Sequence, residues 1–253
     1  MFGTDGLLAK AVEAVLMQFQ WYEISFVYIP DNIRRVGLFF PQDFQNVMNE
    51  NPNLTIVFNQ QMDDTPESMH NALLQISNRS RIVVVNIDAL ETRRNFLLAI
   101  TYMGIANSNE YVFIIVQLRN IGMSQQVSST SSNTSKFNNF WMTTNGINDG
   151  RDEDALKAAR RVINVDLENQ SGSEIDSFMA QMVDEIGKPP FNCRNECMGR
   201  PEDQTVCFRV VGQTGQVVLD ENGNRQPNFF VNMLDVSDQP IVVMNISVVA
   251  GVA

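Results

Sequence analysis

Five short runs rich in β-branched and aromatic residues recur along this chain, and between them the apolar residues fall at helical spacing. No other feature restricts the fold so strongly. "EISFVYI" (Glu23 to Ile29), "LTIVFN" (Leu54 to Asn59), "RIVVVNI" (Arg81 to Ile87), "YVFIIVQL" (Tyr111 to Leu118) and the run ending "VINVDL" all read as strands. The intervening segments read as helices: about Leu7 to Gln20, Arg34 to Asn49 with Pro41 marking a break or a late start, Thr65-Pro66-Glu67 opening a helix to Ser77, and a helix reaching about Met103. The acidic "DGRDED" opens another, with its carboxylates where the helix dipole favours them, and "SGSEIDSFMAQMVDEIG" a further one. Strands apolar on both faces, alternating with helices, require a parallel sheet covered on both sides. The expected fold is α/β, a doubly wound and mostly parallel sheet.

Two segments break the alternation. Arg119 to Gly150 is polar, and "SQQVSSTSSNTS" within it is of low complexity. After Gly187 the chain passes through Pro189 and Pro190 and its three cysteines, then enters "GQVVLDENGNRQPNFFVNML", where Asn222-Gly223 predicts a β-hairpin turn. The expected division is therefore an α/β lobe over residues 1–190 and a cysteine loop with hairpin and terminal strands over 191–253.

Charge narrows the partners. With 18 basic and 29 acidic residues the net charge is −11, unfavourable for nucleic acid or an anionic membrane surface. No run approaches the roughly 18 apolar residues of a membrane span. The opening "MFGTDGLLAKAVEAVLMQFQ" reads as a helix, since Asp5 and Glu13 interrupt any signal-peptide core. Cys193, Cys197 and Cys207 lack the histidines of a zinc site; a local Cys193–Cys197 disulfide is the better expectation and implies an oxidising compartment. Glycosylation sequons begin at Asn53, Asn78, Asn133, Asn169 and Asn245.

Catalytic signatures are poor. His70 is the sole histidine and sits within a helical run, and no nucleophile elbow or cysteine–histidine pattern accompanies it. "GQTGQV" is no phosphate loop, and "DENGNRQPNFFV" has Val231 where a calcium loop needs glutamate. No metal or cofactor is expected. Binding is more promising, because ligands of open α/β sheets sit beyond the carboxyl ends of the strands. That places Tyr28, Asp31, Asn86, Asp88 and Gln117 as cleft candidates, with Asn59 and Gln60 beside them and Trp141 as an aromatic wall or a core residue. Asp88 with Glu91 also has the spacing of a helix capping box.

"LLAKAVEAVLMQFQWYEISFVYI", with a helix, a tryptophan and a strand ending in tyrosine, resembles the second lobe of receptor ligand-binding regions related to type I periplasmic binding proteins. "RIVVVNIDALETRRNFLLAITYMGIANSNEYVFIIVQL", "NDGRDEDALKAARRVINVDL" and "GQTGQVVLDENGNRQP" are similar to membrane guanylate cyclase receptors, the natriuretic-peptide-receptor-like group and its nematode branch above all. The resemblance implies a non-catalytic extracellular module that senses a peptide or small molecule within a receptor homodimer and signals to cyclase domains outside this chain. It also implies a fragment: the family's first lobe is missing before Met1, and only nine residues separate Cys197 from Cys207 where several tens are usual. Alternatives are a glutamate-receptor-like or periplasmic solute-binding region, a flavodoxin-like or sugar-processing enzyme, and a truncated decoy that pairs with full-length receptors.

Overall fold

The computed structural model describes residues 4–30, 39–118, 122–127, 136–143, 149–167, 188, 218–219 and 225–247. The elements along the chain are α1 (Thr4–Gln18), β1 (Glu23–Ile29), α2 (Phe40–Glu50), β2 (Thr55–Gln61), α3 (Pro66–Ser77), β3 (Ile82–Ile87), α4 (Leu90–Tyr102) and β4 (Val112–Val116). They continue as β5 (Ser124–Val127), β6 (Lys136–Asn139), α5 (Asp152–Ala159), β7 (Val162–Leu167), β8 (Val218–Leu219), β9 (Arg225–Gln226), β10 (Asn228–Leu234) and β11 (Pro240–Ser247).

Seven strands form one sheet in the order β11-β10-β7-β4-β3-β1-β2. The pairings from β2 through β7 are parallel, while β10 runs antiparallel to both β7 and β11. This is the doubly wound, mostly parallel α/β sheet expected from the alternation. Its two apolar faces form separate cores. One packs α1 and α2 against Phe26, Val84, Ile114, Val165 and Phe229; the other packs α3, α4 and α5 against Val27, Val85, Ile115 and Val162. Alternate residues of each strand serve opposite faces, which is why the strands are apolar almost throughout.

Several boundaries differ from the sequence reading, for physical reasons. The second helix begins at Phe40, so Pro41 lies in its first turn, where a missing N–H costs nothing; residues 31–38 lie outside the described residues. The capping box at Asp88 and Glu91 does not form. The helix starts one residue later, with Ala89 at the cap position and no side-chain cap, which puts the pair out of register. Within the polar interlude, β5 and β6 pair as an antiparallel ribbon that the sequence did not announce. Around Asn222-Gly223, β8 and β9 do pair as a hairpin. However, the run from Asn228 to Leu234 leaves that hairpin and joins the main sheet beside β7. The terminal strands set apart in 191–253 thus extend the sheet of the lobe. The cysteines Cys193, Cys197 and Cys207 lie outside the described residues.

Candidate ligand site

β1 leads outward to β2 on one side, and the chain returns to place β3 on the other. The carboxyl ends of β1 and β3 therefore flank the point where the winding reverses, the position at which open α/β sheets leave a crevice. Tyr28 of β1 stands there in register with Asn86 of β3 and with Gln61 of β2. Registered neighbours in a parallel sheet point to the same side, so Gln61, Tyr28 and Asn86 make one polar row on the α1/α2 face. Asn86 is 7% exposed, yet its carboxamide makes no hydrogen bond to another described residue. The Tyr28 ring is held by stacking on Phe26, with centroids 5.2 Å apart and planes 20° apart. Phe26 is in turn fixed by Phe44 at 4.7 Å and Phe40 at 6.1 Å.

An open pocket of about 360 Å³ lies between the Tyr28 and Gln61 end of this row and α2, with Pro30, Pro41, Gln45 and Asn46 also among its lining residues; Asn86 stands next to Tyr28 but does not line it. That volume is at the lower end for small-molecule sites. The sequence reading missed the α2 side of it. Its signal was present, as carboxamides at helical spacing in "QDFQN", but the stretch was read only as part of a helix.

The remaining cleft candidates occupy different surroundings. Gln117 lies on the opposite face of the sheet, 3% exposed, within a hydrogen-bonded network. Arg93, itself 1% exposed, donates Nη1 to Gln117 Oε1 at 2.5 Å and both Nε and Nη2 to the Ile87 carbonyl. Gln117 Nε2 donates to the Gly122 carbonyl and to Asp166 Oδ2, and the Gly122 N–H donates to the same Asp166 oxygen at 3.0 Å. A guanidinium cannot be buried without acceptors. Here it ties together the ends of β3 and β4, and Gln117 passes the link on to β7.

Trp141 is 5% exposed and packs edge-on against Phe140, inside the core under α4 and α5. Its carbonyl accepts from Arg94 Nε at 3.0 Å. Arg94 also grips the start of α5, donating to Asp149 and Asp152 at 2.7 Å each. The hydrogen bond from Arg94 holds the Asp149 carboxyl well below the usual carboxylate range. The "DGRDED" carboxylates therefore do more than favour a helix dipole. Asp88 is buried at 7% exposure, and Asp31 lies outside the described residues. Asn59 and Gln60 sit two and one positions short of the row, paired with Phe26 and Val27. Of the sequons, Asn53, Asn78 and Asn245 are exposed, while Asn133 and Asn169 lie outside the described residues. His70 is exposed on α3. Among the described residues no group of three histidines, cysteines or carboxylates converges as for a metal ion, and no helix is long and apolar enough to cross a membrane.

The family described as "Receptor family ligand binding region" matches residues 2–200, most of the chain. This chain belongs to that family. Its relatives include three Caenorhabditis elegans proteins named receptor-type guanylate cyclases. The chain is 24% identical to gcy-6 over 95% of its own length and 26% of the relative, 25% to gcy-13 over 75% and 18%, and 25% to gcy-7 over 83% and 19%. The chain thus spans about a quarter of these relatives or less, and what it matches is the ligand-binding region. The resemblance read from the strand and helix strings is the one that the comparison returns, and the doubly wound sheet agrees with it.

Proposed function

We propose that this chain is the ligand-sensing part of a receptor guanylate cyclase, facing the extracellular side. Its ligand sits at the carboxyl ends of β1, β2 and β3, and the module itself performs no turnover. Membership of the receptor ligand-binding family supports the first part. The observation that carries the site is the row Gln61–Tyr28–Asn86 at the winding reversal, of which Tyr28 and Gln61 line the pocket beside α2. In this reading Tyr28 is a ligand wall, and Asn86 offers an amide with no competing partner among the described residues. Gln117 and Trp141 shape the crevice from behind, through the Arg93 network and the α4/α5 core. Sensing requires a difference in affinity between two states; a ligand bridging β1, β2 and β3 would stiffen the ends of the three strands around which α2 and α4 are hung.

A thermal-shift screen of small polar molecules and short peptides on the purified chain tests this. The expected result is at least one ligand whose stabilisation disappears in Tyr28→Ala and in Asn86→Ala, with both variants folded. Stabilising ligands that ignore both substitutions would place the site elsewhere. Cyclase turnover by the purified chain, above a heat-killed control, would overturn the non-catalytic part.

A further inference from the structure

Three sequons fall among the described residues, and their settings differ. Asn53-Leu54-Thr55 lies where α2 gives way to β2, in a turn closed by the Leu54 N–H on the Asn51 carbonyl at 3.1 Å. The Asn51 side chain accepts the Asn53 N–H at 3.1 Å, an Asx turn. Leu54 is 7% exposed and faces the core, while Asn53 and Thr55 on either side of it are exposed. Neither of those two side chains hydrogen-bonds to a described residue. At Asn78 both groups of the sequon are engaged. Its Nδ2 donates to the Leu74 carbonyl at 3.2 Å, closing the end of α3, and Ser80 is buried with its Oγ 2.6 Å from Ser25 Oγ. At Asn245 the backbone is held in the β10–β11 ladder opposite Phe230, and Ser247 Oγ donates to Asn228 Oδ1 at 3.0 Å.

We infer, resting on the extracellular placement proposed above, that Asn53 carries an N-linked glycan in preference to Asn78 and Asn245. The co-reactant is an oligosaccharide on a polyprenyl pyrophosphate. The bond from the anomeric carbon of its first sugar to the pyrophosphate oxygen breaks, and a bond from that carbon to Asn53 Nδ2 forms. The pyrophosphate leaves with the electron pair, and Nδ2 gives up one proton. Transfer needs a segment that enters the enzyme with carboxamide and hydroxyl both in reach. Exposed turns meet that need, whereas a paired strand or a capped helix end must first open. For Asn78 and Asn245 the opportunity therefore closes as the chain folds, and at Asn53 it stays open. The surroundings suit a bulky, solubilising group. Tyr22, whose carbonyl accepts the Thr55 N–H, is 44% exposed, and Phe19 nearby in sequence is 45% exposed. The seven residues of β2 then separate the glycan from Gln61, about 20 Å along a parallel strand. It stands at the amino end of the sheet and leaves the ligand site at the carboxyl end clear.

The test is secretion of the full 253-residue chain from eukaryotic cells behind a cleavable signal. The product is treated with peptide N-glycosidase in 18O water, and glutamyl endopeptidase then cuts at Glu50 and Glu67, which separates Asn53 from Asn78. Asn53 should be recovered as labelled aspartate, at higher occupancy than Asn78 or Asn245. The label should be lost in Asn53→Gln and in Thr55→Ala and kept in Thr55→Ser. One glycan step should disappear from the gel mobility in the first two, with unchanged circular dichroism. A bare Asn53 overturns the inference, as does an occupancy at Asn78 or Asn245 that equals or exceeds it. Label that persists in Thr55→Ala is deamidation and overturns it too. Because the signal forces secretion, each of these failures leaves the receptor reading standing, and that reading falls only to the ligand screen described above.

Discussion

Arg94 and Asp149 form a two-pronged ion pair across 55 positions of sequence, Nη1 to Oδ2 at 2.9 Å and Nη2 to Oδ1 at 2.7 Å. The arginine side chain is 6% exposed, and the same guanidinium holds Asp152 and the Trp141 carbonyl. One side chain thereby fixes α5 to α4. Replacing it by Met keeps the packing of the stem but strands its acceptors. Arg94→Met should lower the unfolding free energy by about 2–3 kcal/mol, short of a fully buried pair because the carboxylates reach water. Asp149→Asn, which leaves Asp152 in place, should cost less. Urea denaturation of the three proteins checks the order.

The same pair makes the fold acid-sensitive. Hydrogen bonding to Arg94 lowers the folded-state pKa of Asp149, and Arg160 lowers that of Asp238 in the same way. A depressed carboxylate contributes stability that is present in full above its unfolded value of about 3.9 and is lost as pH falls through the folded value. Stability should therefore decline below about pH 4, and less steeply in Asp149→Asn. Denaturation midpoints measured between neutral pH and acid would show it; parallel curves for the two proteins would refute the assignment.

Gln117 and Asn86, both strand-end amides, should behave in opposite ways. Gln117 sits between Arg93, Gly122 and Asp166, so Gln117→Leu removes the acceptor of a buried guanidinium N–H and the donors to the Gly122 carbonyl and Asp166. A loss of about 2–4 kcal/mol is expected. Asn86→Ala breaks no hydrogen bond to another described residue and should leave stability within about 1 kcal/mol while abolishing ligand-induced stabilisation. Thermal melts with and without ligand separate the two roles.

Gly122 has φ +58°, and a Cβ there would collide with the Asn232 carboxamide, while the glycine N–H and carbonyl are both held by Asp166 and Gln117. Gly122→Ala therefore combines left-handed strain with a clash in a buried layer. We expect a cost of about 2–4 kcal/mol. A variant as stable as the parent in urea would mean that this loop is not anchored.

The alternation of β-branched runs with helical spacing was enough to determine the parallel α/β class, since only a sheet covered on both faces can bury such strands. It also placed Tyr28 and Asn86 at strand ends, because a run that stops in a polar residue marks where the strand leaves the core. What the strand strings do not contain is register. Glu23 pairs with Thr55, but a bulge after Ile24 inserts one residue into β2, so Tyr28 meets Gln61 and not Gln60. A one-residue slip exchanges the faces of a strand, and that slip is what brings Gln61 to the side of Tyr28 and α2. Gln117 was legible as a strand-end amide, but its burial followed from Arg93, a cation that only long-range packing could bring inside. Likewise the run after Asn222-Gly223 alternates as either strand of a hairpin would. Only pairing with β7, chosen by the apolar layer that Phe229 and Val231 complete against α1, decided that it belongs to the main sheet.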